Sequence, residues 1–442
     1  MTTGLLRHPL PFPLSVEAAF GALDQGQDHA LWLDDHGERG SGVSYVAFPT
    51  ALSPEQWASS TGRSAALGQY SEPSPELGSL PLGVFFVLPY EAGHTFVGID
   101  SASDVPTHAL WVDRLVAIDH RTGVSELWAL GDQWSAETAQ WRESTHRLLE
   151  RATEPPAPVT GDASQVIWRD SEDRYRDMIR AAHTAITEGE AYQLCLTTGI
   201  TIPGACDPVG LHRLLRRTSP THHQALIRLG DTTLVSASPE TFLEISPAGR
   251  VVTKPIKGTR PRHPNPDADR ALATELLESD KERAENLMIV DLMRNDLAKV
   301  CEVGSVAVPA LCVLESYATV HQLVSTIEGQ LRPGVGVWEV LTHCFPAGSM
   351  TGAPKKRAME VLKAEESDLR GYYSGVYGIE RVDGSATVAM TIRTAVVTPD
   401  SLSLGVGGGI TALSVPGEEI REVGVKARAF FDALGVSSDD YS

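Results

Sequence analysis

The chain has 442 residues, 42% of them hydrophobic and 21% charged, the balance of a globular protein long enough for roughly two or three domains. Its formal net charge is −20. That excludes the basic surface a nucleic acid or an anionic membrane would need, so an anionic substrate must be met by a local cluster or a metal.

In chain order, residues 1–155 read as an N-terminal region of short strands. Examples are 30–33, 42–48 and 82–88, separated by Gly, Pro, Ser and Asp, with a helix near 135–151. The N-terminal MTTGLLRHPLPFPLS is broken by prolines and is not expected to be a signal peptide. The apolar run around 82–88 is too short to span a bilayer. The segment TEPPAPVTG at 153–161 reads as a linker. A second domain is expected over 165–437, beginning with an amphipathic helix at 170–188. Strands follow near 192–202, 223–230, 233–237, 241–247 and 250–255, then a basic turn at 254–262 and one long helix over 267–295. Strands near 303–308 and 311–315 precede helices at 337–343 and 353–365. Strands near 373–381, 386–398 and 401–408 lead to a final helix at 417–434. Strand runs separated by helices indicate a mixed α/β protein with large sheets. Cys195, Cys206, Cys301, Cys312 and Cys344 show no CxxC spacing and are expected to be reduced thiols of a cytoplasmic protein.

Several constellations could carry chemistry. The turn Lys254-Pro-Ile-Lys-Gly-Thr-Arg-Pro-Arg262 concentrates cations inside an acidic chain; it suits a small anion, or is a solvated basic loop. Glu282 and Glu285 are spaced i, i+3 and share a helix face, and Glu419 and Glu422 repeat the spacing. Two such pairs could hold one hard divalent cation such as Mg²⁺, although ExxE pairs also occur on solvated faces. The Gly/Ser/Thr loop 345–357 enters a helix with Pro354 in its first turn, where free N–H groups suit an anion. The glycines of 405–410 would let backbone approach a ligand closely. Arg393, inside an apolar strand, calls for a carboxylate partner or an anionic ligand.

These residues belong to an ordered set of motifs: SPETF (238–242), PIKGTRPR (255–262), KERAENLMIVDLMRND (281–296), VHQLVST (320–326), GSMTGAPKKRAME (348–360), RGYYSG (370–375), TIRTA (391–395), GGGI (407–410) and EEIREVGVKA (418–427). The set resembles the chorismate-utilising enzymes, among them anthranilate synthase component I, aminodeoxychorismate synthase component I, isochorismate synthase and salicylate synthase. The resemblance is strong over 165–435 and loose before it. It implies an α/β fold of the α+β type, a large two-sheet α/β sandwich of the anthranilate synthase component I type.

Two positions discriminate within that family. Water-adding members resemble one another in a lysine base where this chain has Gln193, and a neutral amide is no general base. The form PIKGT, with Lys257 where anthranilate synthases typically have alanine, is similar to aminodeoxychorismate synthase component I. The resemblance implies that Mg²⁺ on Glu282, Glu285, Glu419 and Glu422 holds the ring carboxylate of chorismate, with Glu366 as a metal contact or as a support just behind the metal ligands. Gln193, Gly258, Thr259, Ser349, Tyr373, Arg393, Gly407, Gly409 and Lys426 would line the substrate; Tyr373, Arg393, Gly409 and Lys426 match positions that bind its two carboxylates. Lys257 would attack C2 while Glu240 protonates the departing C4 hydroxyl, and ammonia would then enter at C4 and expel the lysine. The flanking Lys254, Arg260 and Arg262 are expected to lower the Lys257 pKa. The product would be 4-amino-4-deoxychorismate, a precursor of p-aminobenzoate for folate or for secondary metabolism; the alternative is anthranilate synthase component I. No GxCxG nucleophile loop occurs, so ammonia is expected from a separate class I glutamine amidotransferase subunit. The chain departs from the family pattern at Gln322, where many relatives have a histidine, and at Leu413, Ile420 and Val423 near the second glutamate pair. No motif for an N-terminal tryptophan site is evident.

Overall fold

A computed structural model describes residues 4–34, 42–53, 55, 57, 80–101, 103–158, 165–317 and 320–436. The end of the expected linker, 159–161, lies outside them. The described strands form a 12-stranded and a 10-stranded sheet. The sheets face each other across a core in which Leu31, Ala225, Ile227 and Leu234 of the larger meet Phe85, Val87, Tyr377 and Ala389 of the smaller. Helices cover the outer faces: Glu172–Thr187, Pro208–Thr218 and Pro416–Leu434 pack on the larger sheet, and Asp280–Ala298 on the smaller. The strand Gln193–Pro203 is therefore buried on both faces over Gln193–Ile200, which explains its run of apolar and small polar residues without alternation. No helix among the described residues is long and apolar enough to cross a membrane.

The described residues before 155 contribute strands to both sheets. Strand His29–Asp34 pairs with His223–Leu229 in the larger sheet, and Gly83–Leu88 pairs with Val376–Arg381 in the smaller. Each sheet is thus built from both halves of the sequence.

Three expectations are corrected at the elements that matter for the site. The helix expected over 267–295 is two, Pro266–Glu278 and Asp280–Ala298, divided at Ser279. The Ser279 hydroxyl accepts from the N–H of Glu282 at 3.4 Å, the start of a Ser-x-x-Glu capping pattern. The basic turn is largely an edge strand, Ile256–Pro261, at one end of the smaller sheet. Its register against Val320–Gln330 slips between Ile256 and Thr259, where Gly258 has φ +80°; the bulge bends the strand. The strand expected over 386–398 is also two, Ala386–Met390 and Thr394–Val397. Arg393 lies between them at φ +48°, a conformation that costs a side-chain-bearing residue about 1–3 kcal/mol and tends to be retained at functional sites.

Candidate active site

The site forms where the edge strand Ile256–Pro261 of the smaller sheet meets the paired strands Gln193–Pro203 and Ser401–Ile410 of the larger. Asp280–Ala298 delivers Glu282 and Glu285, and Pro416–Leu434 delivers Glu419, Glu422 and Lys426. The last helix begins with Pro416 at its first turn and ends at Gly435 in the left-handed region. Its apolar stripe of Ile420, Val423, Ala427 and Phe430 is buried against the larger sheet. The replacements Ile420 and Val423 belong to that stripe, whereas Leu413 is exposed.

Gly409 marks the centre. A Cβ there would lie 2.6 Å from Gln193 Nε2 and 3.3 Å from both Glu285 Oε2 and Lys257 Nζ. A Cβ at Gly408 would lie 3.3 Å from Glu419 Oε2 and 3.9 Å from Glu422 Oε1. The glycine run therefore makes room for a convergence of carboxylates, amines and an amide. Gly407 accepts from Lys426 Nζ at 2.7 Å, and a Cβ at Gly258 would touch the Glu282 carboxylate at 3.0 Å. Thr259 is exposed, opposite Gln322 in the ladder. His321 points the other way, to Ser316 Oγ at 2.7 Å and Asp269 Oδ1 at 3.1 Å, as alternate strand positions must. It does not stand in for a histidine at 322.

Gln193 is fully buried, and both of its amide atoms lack a partner among the described residues. An amide left so is costly unless a ligand or water completes it. Glu240 is buried and accepts from Ser349 Oγ at 3.1 Å. Burial pushes its carboxyl up to about 7, against the lowering effect of Lys257. Tyr373 is buried with its ring against Gly405, and its hydroxyl is pushed up by burial. Burial holds the Arg393 guanidinium below its ordinary value, partly offset by Tyr373 and Glu422. No carboxylate pairs with Arg393 among the described residues, so the anionic-ligand reading of this residue outweighs that of a structural ion pair.

Each metal candidate has a cation beside it. Glu282 is 3.4 Å from Arg260, Glu285 is 3.8 Å from Lys257, Glu419 is 2.8 Å from Lys281, and Glu422 is 2.6 Å from Lys426. Burial pushes Glu285 up to about 7; at Glu422 burial is outweighed by Lys426 together with Lys281 and Lys257, which lower it. Among the described residues no three His, Cys, Asp or Glu side chains stand close enough to hold a metal ion as they are placed. The donor chemistry nevertheless fits a hard cation: the four groups are carboxylates, and an ammonium already stands between two of them.

One expectation about the site is corrected and a second is narrowed. The Lys257 amine is not depressed: burial lowers it, but Glu285, helped by Glu240 and Glu422, outweighs burial and raises it. The flanking cations are spent elsewhere. Lys254 is exposed, Arg260 binds Glu275 at 2.6 Å, and Arg262 binds Asp269 at 2.8 Å. Glu366 is held by Arg370 and Thr197. Arg370 takes both of its oxygens at 2.6 and 2.8 Å, and the N–H and hydroxyl of Thr197 donate to one of them at 3.0 Å. Its carboxylate thus acts as a structural partner of Arg370 and Thr197, the supporting one of its two expected roles. At the start of the Lys355–Glu365 helix, Lys355 Nζ binds Asp296 and the Cys344 carbonyl, each at 2.6 Å.

Arg370 is the support that motif reading left without a role. Its guanidinium also donates to the carbonyls of Cys195 and Met350, each at 2.7 Å, and its plane lies over Tyr90 at 4.2 Å. It thereby ties the strand bearing Gln193 to the turn bearing Ser349. Replacing Arg370 by Met should cost about 3–5 kcal/mol, because Glu366 would be left as a buried uncompensated charge. Lysine should not restore the loss, lacking the planar fork. Urea unfolding midpoints check this; an unchanged midpoint would remove Arg370 from this role.

The sequence pattern described as chorismate binding enzyme matches residues 29–432. The chain belongs to the chorismate-binding enzyme family. Among curated members, an aminodeoxychorismate synthase of Streptomyces pristinaespiralis is 41% identical over 364 residues, covering 80% of this chain and 51% of the relative. An aminodeoxychorismate synthase of Streptomyces griseus is 38% identical over 453 residues, covering 95% and 62%. An anthranilate synthase component 1 of Thermus thermophilus is 37% identical over 322 residues, covering 73% and 70%. The chain spans about half to three-fifths of the length of the two Streptomyces relatives. Among solved structures, anthranilate synthase component I of Streptococcus pneumoniae aligns with TM-score 0.71 at 23% identity, covering 97% of this chain and 92% of that one. The menaquinone-specific isochorismate synthase of Escherichia coli aligns at 0.74 and 18%, covering 98% and 95%. These likenesses bear out the two-sheet α/β sandwich.

Proposed function

We propose that the chain aminates chorismate at C4 with ammonia, giving 4-amino-4-deoxychorismate, a precursor of p-aminobenzoate. The observation that carries this reading is the convergence of Lys257, Gln193 and Glu285 on Gly409. A primary amine stands where a nucleophile is wanted, and an amide stands where water-adding relatives keep a lysine base. The names of the Streptomyces relatives support the same choice.

Lys257, once neutral, adds to C2 of the diene as the ring double bond shifts and the C4 hydroxyl leaves. Glu240 gives that hydroxyl a proton, so it departs as water. With its carboxyl near 7, Glu240 is protonated on the acid side of neutrality, and this assistance is lost as pH rises through that value. Ammonia then adds at C4, the double bond shifts back, and the Lys257 amine is expelled, restoring the enzyme. Arg393 and Lys426 supply positive charge for the substrate carboxylates, and Gln193 completes its amide bonds on the incoming groups. Mg²⁺ held by Glu282, Glu285, Glu419 and Glu422 would anchor a carboxylate and neutralise its charge when bound. Ammonia would come from a class I glutamine amidotransferase subunit.

Incubation with chorismate, Mg²⁺ and ammonium, followed by chromatography and mass spectrometry, tests the proposal. The expected product is 4-amino-4-deoxychorismate, with none from glutamine until an amidotransferase subunit is added. Anthranilate as main product would transfer the chain to the other amination reaction, and isochorismate would overturn the reading of Gln193.

A further inference from the structure

Lys281 takes no part in the chemistry above. It precedes Glu282 in the first turn of Asp280–Ala298, four residues before Glu285. Its Nζ is 2.8 Å from Glu419 Oε1 and 3.9 Å from Glu285 Oε1. The two carboxylates are only 2% and 8% exposed, while the Lys281 side chain is 28% exposed. Lys257 pairs with Glu285, Lys426 with Glu422, and Arg260 with Glu282 and Glu275. Among the described residues Lys281 alone contacts a carboxylate on each of the two glutamate-bearing helices.

Carboxylates facing each other in a water-poor cleft repel strongly, and an ammonium between them relieves that repulsion. We propose that Lys281 is a resident counter-ion: it bridges the two glutamate helices when no divalent cation is bound and is displaced when one binds. This rests on the reading that the four glutamates hold Mg²⁺. The flexible, partly exposed stem lets the ammonium swing into solvent. Lys281 would thus hold the empty cleft together and, by competing, set the concentration of Mg²⁺ at which it fills.

Calorimetric titration of Mg²⁺ into the substrate-free chain tests the idea. Lys281→Met should bind Mg²⁺ about tenfold more tightly, since a charged hydrogen bond of this kind contributes enough to offset binding by that factor. It should also melt at a lower temperature than wild type in EDTA, with the difference closing at saturating Mg²⁺. In the wild-type chain, acetylation followed by peptide mass spectrometry should find Lys281 protected in EDTA and more reactive in Mg²⁺. Unchanged or weaker Mg²⁺ binding by Lys281→Met overturns the proposal. If that variant does not fold, the acetylation rates decide alone, and equal rates overturn it. A wild-type chain that binds no Mg²⁺ removes the four-glutamate reading and this one together; wild-type binding with an unaltered variant removes this one only.

Discussion

Lys257→Ala should abolish C4 amination while the fold persists. The side chain projects from an edge strand whose backbone pairing with Val320–Gln330 does not depend on it, and Glu285 keeps Lys281 nearby. Removing the nucleophile should lower 4-amino-4-deoxychorismate formation by about a thousandfold, the scale of losing a group that acts only in the transition state. With C2 no longer blocked by the amine, ammonia can add there, giving aminodeoxyisochorismate or traces of anthranilate. Mass spectrometry of the products and an unfolding curve settle both parts. Parental rates of C4 amination in the variant would end the covalent role and leave Lys257 as an ordinary partner of Glu285.

Glu422→Gln should have an effect nearly as large by a different route. Glu422 holds Lys426, which in turn binds the Gly407 carbonyl. The amide would remove one negative charge from the donor set and loosen the cation beside it. Turnover should fall about a hundredfold or more at fixed Mg²⁺ and recover in part as Mg²⁺ is raised, because removing even an outer partner of a metal site costs about 10–100-fold in affinity or activity. Full activity of this variant in EDTA would sink the four-glutamate assignment.

The residues that converge near Gly409 were largely legible because the motifs carrying them are short and local. Their surroundings were less so. Lys257 was legible as a cation near a glycine, but its strand geometry depends on a partner more than sixty residues later, at Val320–Gln330. The division of the long helix at Ser279 was signalled by Ser-x-x-Glu, yet helical periodicity on both sides masked it. Arg393 looked like one position in a continuous apolar strand; only tertiary packing makes it a bend. For the Lys257 amine, neighbours in sequence are not neighbours in effect: Arg260 and Arg262 are paired with Glu275 and Asp269 instead. Arg370 lies in the RGYYSG motif, and its pair with Glu366 is local, but nothing local reveals its partners at residues 195 and 350.

The way both halves of the sequence share each sheet bears on how the chain is made. Phe86 of Gly83–Leu88 lies opposite Gly378, and all six residues of that N-terminal strand are buried in the finished protein. During vectorial synthesis its partner has not yet been translated, and at about 5–20 residues per second the ribosome needs tens of seconds to reach it. Through that interval an apolar strand with an unpaired edge must be shielded or held in provisional contacts. Such distant pairing also raises contact order and slows the final collapse. Nascent-chain chaperones would therefore find their main client surface in this segment.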